Sequence, residues 1–435
     1  MQLNEQQLME KWAPVLDHPD MPAIGSAHKR RVTATILENQ EKALNEEKRV
    51  LMETSVGNVA GQVGNYDPIL IGLVRRSMPQ LMAYDVLGVQ AMTGPTGLIF
   101  AMKSRYGTDD AADPYAREEA LFNEADSDYS GTGTHAGTNP FAGATNGTGM
   151  ESVKKGPDMT NGAHRGAAES LDPADMSFTI EKMSVEAKTR ALKAGYTIEL
   201  QQDLKAVHGL DAEAELSNIL SSEITAEMNR EVIRTVYTAA KTGAQNATTA
   251  GTFDLDVDAN GRWSVERFKG LMFQLEREAN LIGQQTRRGR GNFLIVSADV
   301  ASALRMAGVL DVKTGVQAAL NVDDTQSTYA GMLNGQFKVY IDPYMSNGDN
   351  GNQFAVVGYR GSSAFDAGAF FCPYVPLQLL RAVDPTTFQP KIAFKTRYGV
   401  VGHPMARSET TGALQDSLSA GVNTYFRKLK ISNIS

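Results

Sequence analysis

The chain has one cysteine, Cys372, in 435 residues. That excludes an internal disulfide and any cysteine-based zinc site, and it fits a reducing compartment. The setting of Cys372, between Phe371 and Pro373, reads as apolar packing and not as a nucleophile. No apolar run approaches the roughly 18–20 residues that cross a bilayer, and residues 1–16 lack a basic-then-apolar signal pattern. A chain made in a cytoplasm and not held in a membrane is expected. The six histidines (His18, His28, His135, His164, His208 and His403) show no metal-ligand spacing. No His-Glu-x-x-His, Gly-x-Ser-x-Gly or Walker pattern occurs. We therefore expect no catalytic residues, no cofactor and no metal, and read the chain as a non-enzyme. A basic face is also missing. The formal net charge is −8, and residues 108–175 alone hold thirteen Asp/Glu against four Lys/Arg. The remainder is near neutral, which gives no nucleic-acid groove but is compatible with enclosing DNA without gripping it.

What the sequence does contain is an uneven distribution of glutamates. Of the seven in residues 1–53, five stand two places after Leu or Ile: Glu5, Glu10, Glu38, Glu46 and Glu53. Of the seventeen later ones, none does. With roughly one residue in seven being Leu or Ile, about one and about two matches are expected. A protease reading [Leu/Ile]-x-Glu would cut residues 1–53 repeatedly and spare the rest. The competing explanation is that a Glu-rich amphipathic helix produces such triplets by chance. The Gly-rich stretch 54–66 that follows reads as a flexible arm, where a protease can bind an extended chain.

Residues 1–53 read as helical, with a first apolar set (Leu3, Leu8, Trp12, Val15, Leu16) broken by Pro14, Pro19 and Pro22. Val32, Ile36, Leu37, Ala43 and Leu44 mark a second helix. This leader is too short and too charged to bury a core alone, so it needs a partner surface. Strands are expected at 98–106 and 176–183. Between them, 108–175 is far longer than an ordinary loop and reads as an inserted module or a disordered one. The longest helix is expected over 212–242, with Asp211 as N-cap, Gly243 beyond its end, and Leu216, Leu220, Ile224, Met228, Val232 and Val236 in an i, i+4 stripe flanked by Ile219 and Ile233. A second helix is expected over 265–282, capped by Ser264 and closed by Gly283. Strands at 292–297, 337–341 and 354–357 and a helix near 299–306 follow, then aromatic, Pro-punctuated segments at 369–380 and 392–398. Strands and helices mixed in this order read as α+β.

Three tempting motifs fail on inspection. Gly131-Thr132-Gly133 has no strand before it and no helix after it, so it is not a phosphate loop. Asp256-x-Asp258-x-Asn260-Gly261 matches half of a calcium loop, but Arg267 stands where the bidentate Glu belongs. The cluster Arg287-Arg288-Gly289-Arg290 reads equally as an inter-subunit salt bridge and as solvated loop charge.

The blocks Val74–Gly107, Glu186–Leu216, Val339–Tyr344 and Phe365–Val400 resemble the major capsid proteins of T-even-type tailed bacteriophages, and the resemblance runs over nearly the whole chain. It implies an α+β Hong Kong 97-type capsid fold. It further implies a helical propeptide, residues 1–53, removed after Leu51-Met52-Glu53 to leave Thr54 as the mature N-terminus. Residues 54–90 would then be an N-terminal arm, and 91–185 an extended loop region carrying the 108–175 insertion. A peripheral domain (186–263) would hold the spine helix 212–242, a mainly axial domain would cover 264–390, and 391–435 would return to the peripheral domain. The insertion reads as shorter and richer in Gly, Asn and Thr than in the family. The partners implied are other copies in hexamers of an icosahedral shell, a vertex capsid protein, an internal scaffolding core protein, a prohead maturation protease and a portal protein. Decoration proteins and a folding chaperonin are further candidates. The shell would enclose DNA without sequence-specific binding, assembled in the bacterial host cytoplasm and ending in the virion. The alternatives are the pentameric vertex protein of the same family, a host-encoded compartment shell, and a soluble enzyme or carbohydrate-binding protein.

Overall fold

The computed structural model describes residues 5–18, 24–53, 81–107, 119–121, 125, 129, 174–259, 261, 263–308, 310–311, 328–345, 353–363, 365–384, 386–404 and 417–434. Gly131-Thr132-Gly133, Thr54, the 54–66 arm and nearly all of the 108–175 insertion lie outside them. The helices are α1 (Glu5–Leu16), α2 (Ala27–Glu53), α3 (Ala83–Val86), α4 (Ile198–Val207), α5 (Ala212–Ala239), α6 (Ser264–Thr286) and α7 (Ala298–Met306). The strands are β1 (Gly88–Val89), β2 (Thr96–Tyr106), β3 (Met176–Glu186), β4 (Lys188–Gly195), β5 (Ala240–Thr242), β6 (Thr252–Asp254), β7 (Phe293–Val296), β8 (Leu310–Asp311), β9 (Thr328–Leu333), β10 (Phe337–Ile341), β11 (Gln353–Gly358), β12 (Ala369–Val383), β13 (Pro390–Gly402) and β14 (Asn423–Ser432). The α+β class is observed.

Three sheets form. One runs β1-β12-β13-β4, built on the long antiparallel pair β12 and β13. A mixed sheet runs β5-β14-β11-β7-β10-β9-β8, with β6 also on β14. The third is β2 with β3 alone. By contacts the chain divides into two compact units. One comprises Met1–Ile99, Met183–Glu409 and Leu414–Ser435; the other comprises Phe100–Lys182 and Thr410–Ala413.

In the first unit α5 is the beam, 28 residues long, or about 42 Å at 1.5 Å per residue. The Asp211 carboxylate caps it by accepting from the Glu213 N–H at 3.2 Å. Leu220, Ile224, Met228, Val232, Ile233 and Val236 are buried, Leu216 packs at the core margin, and Ile219 is exposed. The helix ends three residues before the expected 242. Ala240–Thr242 leave it as β5, pairing in parallel with β14, so sheet hydrogen bonding overrides local helical preference and Gly243 follows a strand. An ion-pair set ties the beam to the sheets. Arg190 on β4 bonds Glu227 and Glu231, both at 2.7 Å, and Arg230 bonds both oxygens of buried Asp342 at 2.7 and 2.6 Å.

Helix α6 runs past its expected end. Gly283 lies inside it, and Arg287 closes it in the left-handed conformation at φ 53°. Its start also shifts, with Trp263 in the cap position and Ser264 already helical. Pro14 does not break α1, which continues to Leu16. Pro14 stands in the last turn, two residues before the helix ends, so its missing N–H costs α1 a single bond of the backbone ladder. The segments expected only as aromatic and Pro-punctuated are the longest strands of the fold, β12 and β13. The register between them shifts at Pro373/Val375 and Val375/Gln378, where bulges interrupt the ladder.

Candidate processing and assembly site

The leader finds its partner surface on its own chain. Trp12, Leu16, Val32, Ile36 and Leu37 are buried in the main core cluster, and α2 lies against β12. Polar bonds fix the seat. The Asn39 side-chain amide donates to the Met92 carbonyl at 2.7 Å and the Tyr374 carbonyl at 2.9 Å. His28 donates from Nε2 to the Val89 carbonyl at 2.9 Å, which fixes that nitrogen as the protonated one because a carbonyl only accepts. Between the two leader helices, Glu38 accepts from Lys11 Nζ at 2.8 Å and from Trp12 Nε1 at 3.4 Å. Burial pushes the Glu38 carboxyl up, but Lys11 and Trp12 outweigh it and hold it below the ordinary glutamate value.

The expected processing residues lie at the far end of this leader. Leu51, Met52 and Glu53 close α2, which ends at Glu53; Thr54 lies outside the described residues. A helix end opens more readily than its packed middle, so the backbone at Glu53 can reach the extended form that a protease binds. The Glu38 triplet sits instead in the buried middle of α2.

The hairpin of β2 and β3 inverts the usual rule of strands. Gly107 N–H bonds Asp175 O at 2.8 Å at one end, and Gly97 approaches Val185 at the other, so the strands run antiparallel. Side chains alternate between its faces. On one face Lys103, Arg105, Thr179 and Glu181 are buried, with Lys103 and Arg105 reaching Glu181 at 3.4 and 3.7 Å and Lys103 reaching Glu119 at 3.8 Å. On the other face Phe100, Met102, Met176, Phe178 and Ile180 are between 54% and 72% exposed. Ionic groups inside and large apolar groups outside is the pattern of a surface that another molecule covers.

The remaining candidates take structural roles. Cys372 is buried, and burial pushes its thiol up to about 12, which makes it inert. Arg267 ion-pairs with Asp256, and its Nε–H donates to the Gly261 carbonyl at 3.2 Å. A guanidinium therefore occupies the turn where a calcium ion would sit. Arg287 and Arg288 are exposed, while Arg290 reaches Glu276 at 3.7 Å and lies over the Phe337 ring. Among the described residues no group of His, Cys, Asp and Glu is arranged to hold a metal. Sequence reasoning missed the buried pair Glu278–Arg427 at 2.8 Å. It also missed the ionic face of the hairpin, although the alternation of Lys103, Arg105 and Glu181 with apolar neighbours is legible in both strands.

Comparison with known proteins bears on all of this. The family model described as major capsid protein Gp23 matches residues 63–431. The major capsid protein of Vibrio phage KVP40 is 37% identical, covering 98% of this chain and 100% of that protein. The capsid vertex protein of Enterobacteria phage T4 is 26% identical over 56% of this chain and 57% of its own. Among solved structures, the capsid of Myoviridae phage XM1 aligns over 80% of this chain at 9% identity, with a TM-score of 0.40.

Proposed function

Since the chain belongs to the Gp23 major capsid protein family, we propose that it is the subunit from which a tailed phage builds the hexameric capsomers of its head, matured by proteolysis after Glu53. As a member of that family it is a structural protein of the virion shell. The reading adds the hexamer, the cut and the expansion of the shell. The observation that carries it is the inverted hairpin, whose exposed apolar face needs covering in every copy and is supplied with a partner when copies are arranged side by side. On this reading β2 and β3 form the extended loop that lies over a neighbouring subunit. The α5 beam is the spine of the peripheral domain, and the mixed sheet around β7, β10 and β11 belongs to the axial domain.

The mechanism is assembly without turnover. Glu5, Glu10, Arg31 and Lys42 are exposed charged side chains of α1 and α2, and on this reading they meet an internal scaffolding core. Cleavage after Glu53 detaches the leader from the subunit and lets subunits rotate into the expanded shell. Each subunit shares contacts with several neighbours, so modest interfaces suffice. Loss of the leader makes the step irreversible. Scaffold, protease, portal and vertex proteins are the partners this mechanism requires, and the shell encloses DNA without reading it. Native mass spectrometry of capsomers released from particles tests the arrangement. Six copies per capsomer are expected; five would move the chain to the vertices, and a monomer that never assembles would contradict the reading.

A further inference from the structure

The leader carries five [Leu/Ile]-x-Glu triplets, and the fold does not present them equally. In α1, Glu10 is exposed. In α2, Ile36, Leu37 and Glu38 are 0%, 1% and 7% exposed. Glu38 is held by Lys11 and Trp12, and the next residue, Asn39, is held by the Met92 and Tyr374 carbonyls. The Glu38–Asn39 peptide bond therefore lies in the middle of a helix packed against α1 on one side and the body on the other. A protease acts on an opened segment, and its rate follows the population of that open form. Opening the last turn of α2 at Glu53 leaves this packing in place. Opening it at Glu38 requires Trp12, Ile36 and Leu37 to leave the core and both Asn39 bonds to break.

We propose that the Glu38–Asn39 bond is a second, conditional processing site, closed while the leader is docked and opened by the cut after Glu53. The proposal rests on the reading above that the leader is processed at these triplets. Hydrolysis there breaks the C–N bond. Water supplies the hydroxyl to the Glu38 carbonyl carbon and the proton to the Asn39 nitrogen, so no further reactant is required. Two features make the order of cuts follow from the fold. While tethered, the leader is held at a high effective concentration, which the cut after Glu53 abolishes. Its seat is also a releasable one. Thr33, Glu38, Asn39 and Gln40 are buried polar residues within it, and the Gln40 side chain has no hydrogen-bond partner among the described residues. Once off the body, an isolated charged helix of this length is only marginally stable. It exposes Glu38, is cut there, and the pieces can no longer rebind. One cut thus licenses the next, and the seat is cleared irreversibly.

The test is a time course of limited digestion of the full chain with a general glutamyl endoprotease, with each large fragment identified by mass. Large fragments beginning within 47–54 should appear first. The fragment beginning at Asn39 should form at less than a tenth of their rate, and the small peptide ending at Glu38 only afterwards. Trp12→Ala with Val32→Asp, which undocks the leader without touching a triplet, should raise the Asn39 fragment at least tenfold. Lys11→Ala, which changes an exposed side chain on α1, should raise it less. An Asn39 fragment that forms as fast as the others in the intact chain overturns the proposal, as does an unchanged ratio in both variants. Co-expression with the phage's own protease is the second arm and should give the same order. No leader cut at all in that arm would overturn the processing reading, while the digestion arm would still report whether Glu38 is protected.

Discussion

Replacing Phe100 and Phe178 by aspartate should abolish shell assembly and leave the subunit folded. The two rings are 72% and 60% exposed, so of roughly 200 Å² each, about 140 and about 120 Å² remain available to a partner. At about 25 cal/mol per Å² this is an upper bound of about 3 to 4 kcal/mol per ring. Ordering and desolvation costs reduce the realised part to about half of that. A loss of about 1.5 to 2 kcal/mol at each of two positions weakens every hairpin contact by roughly 10²–10³-fold. Each copy makes the contact, so the deficit repeats around the capsomer. The fold itself should lose less than about 0.5 kcal/mol, because neither ring is part of the core. The assay pairs thermal unfolding of the unassembled chain with sedimentation and electron microscopy of particles made on co-expression with the scaffold. Unchanged unfolding with no shells is the predicted result. Normal shells from the double variant would refute the claim that this face is covered by a neighbour, and an unfolded variant would refute the claim that it lies outside the core.

Three further outcomes are expected. Glu278→Ala strands the buried Arg427, whose partner it is at 2.8 Å with both side chains almost fully enclosed; the unassembled chain should lose about 3–5 kcal/mol in chemical denaturation, and a loss under about 1 kcal/mol would contradict the assigned role. Leader docking should weaken in acid. Burial, helped by Arg31 and Arg360 and opposed by the Val89 bond, lowers His28 below its ordinary value of 6.5, so the docked state favours the neutral ring. The contribution is full above about pH 6.5 and is lost as pH falls through the docked value. Hydrogen exchange of residues 27–40, corrected for intrinsic rates, should accelerate between pH 7.5 and 5.5, and His28→Gln should flatten that dependence. Finally, Cys372 should resist thiol reagents in the native chain at neutral pH and react only on unfolding, as followed by mass; rapid native labelling would refute its burial.

Several elements were legible because local signals and tertiary demands coincide. The i, i+4 stripe of α5 and its Asp211 cap are written in consecutive turns, and the strands around Phe293 and Val339 announce themselves by apolar content. The end of α5 was not legible: Ala240–Thr242 have good helical neighbours, and only pairing with β14, almost two hundred residues away, makes them a strand. β4 and β14 were missed for a related reason. Lys188–Gly195 alternates charged and small residues like a surface helix, and it becomes a strand only because β13 offers a full ladder. Long-range pairing carries no mark in a local window. At the leader, the glutamate triplets were visible but their burial was not. A charged helix looks solvated until Asn39 and His28 are seen holding carbonyls of the body. The hairpin lay in between, since its alternation was plain and only the structure tells which face is inside.

The central claim is that this chain becomes a shell subunit by losing its leader after Glu53. The measurement that bears on it most directly is the intact mass of the chain taken from assembled particles, with mapping of its N-terminal peptide. The account predicts a chain that begins at Thr54, shorter by residues 1–53. A full-length chain beginning at Met1 in mature particles would contradict it.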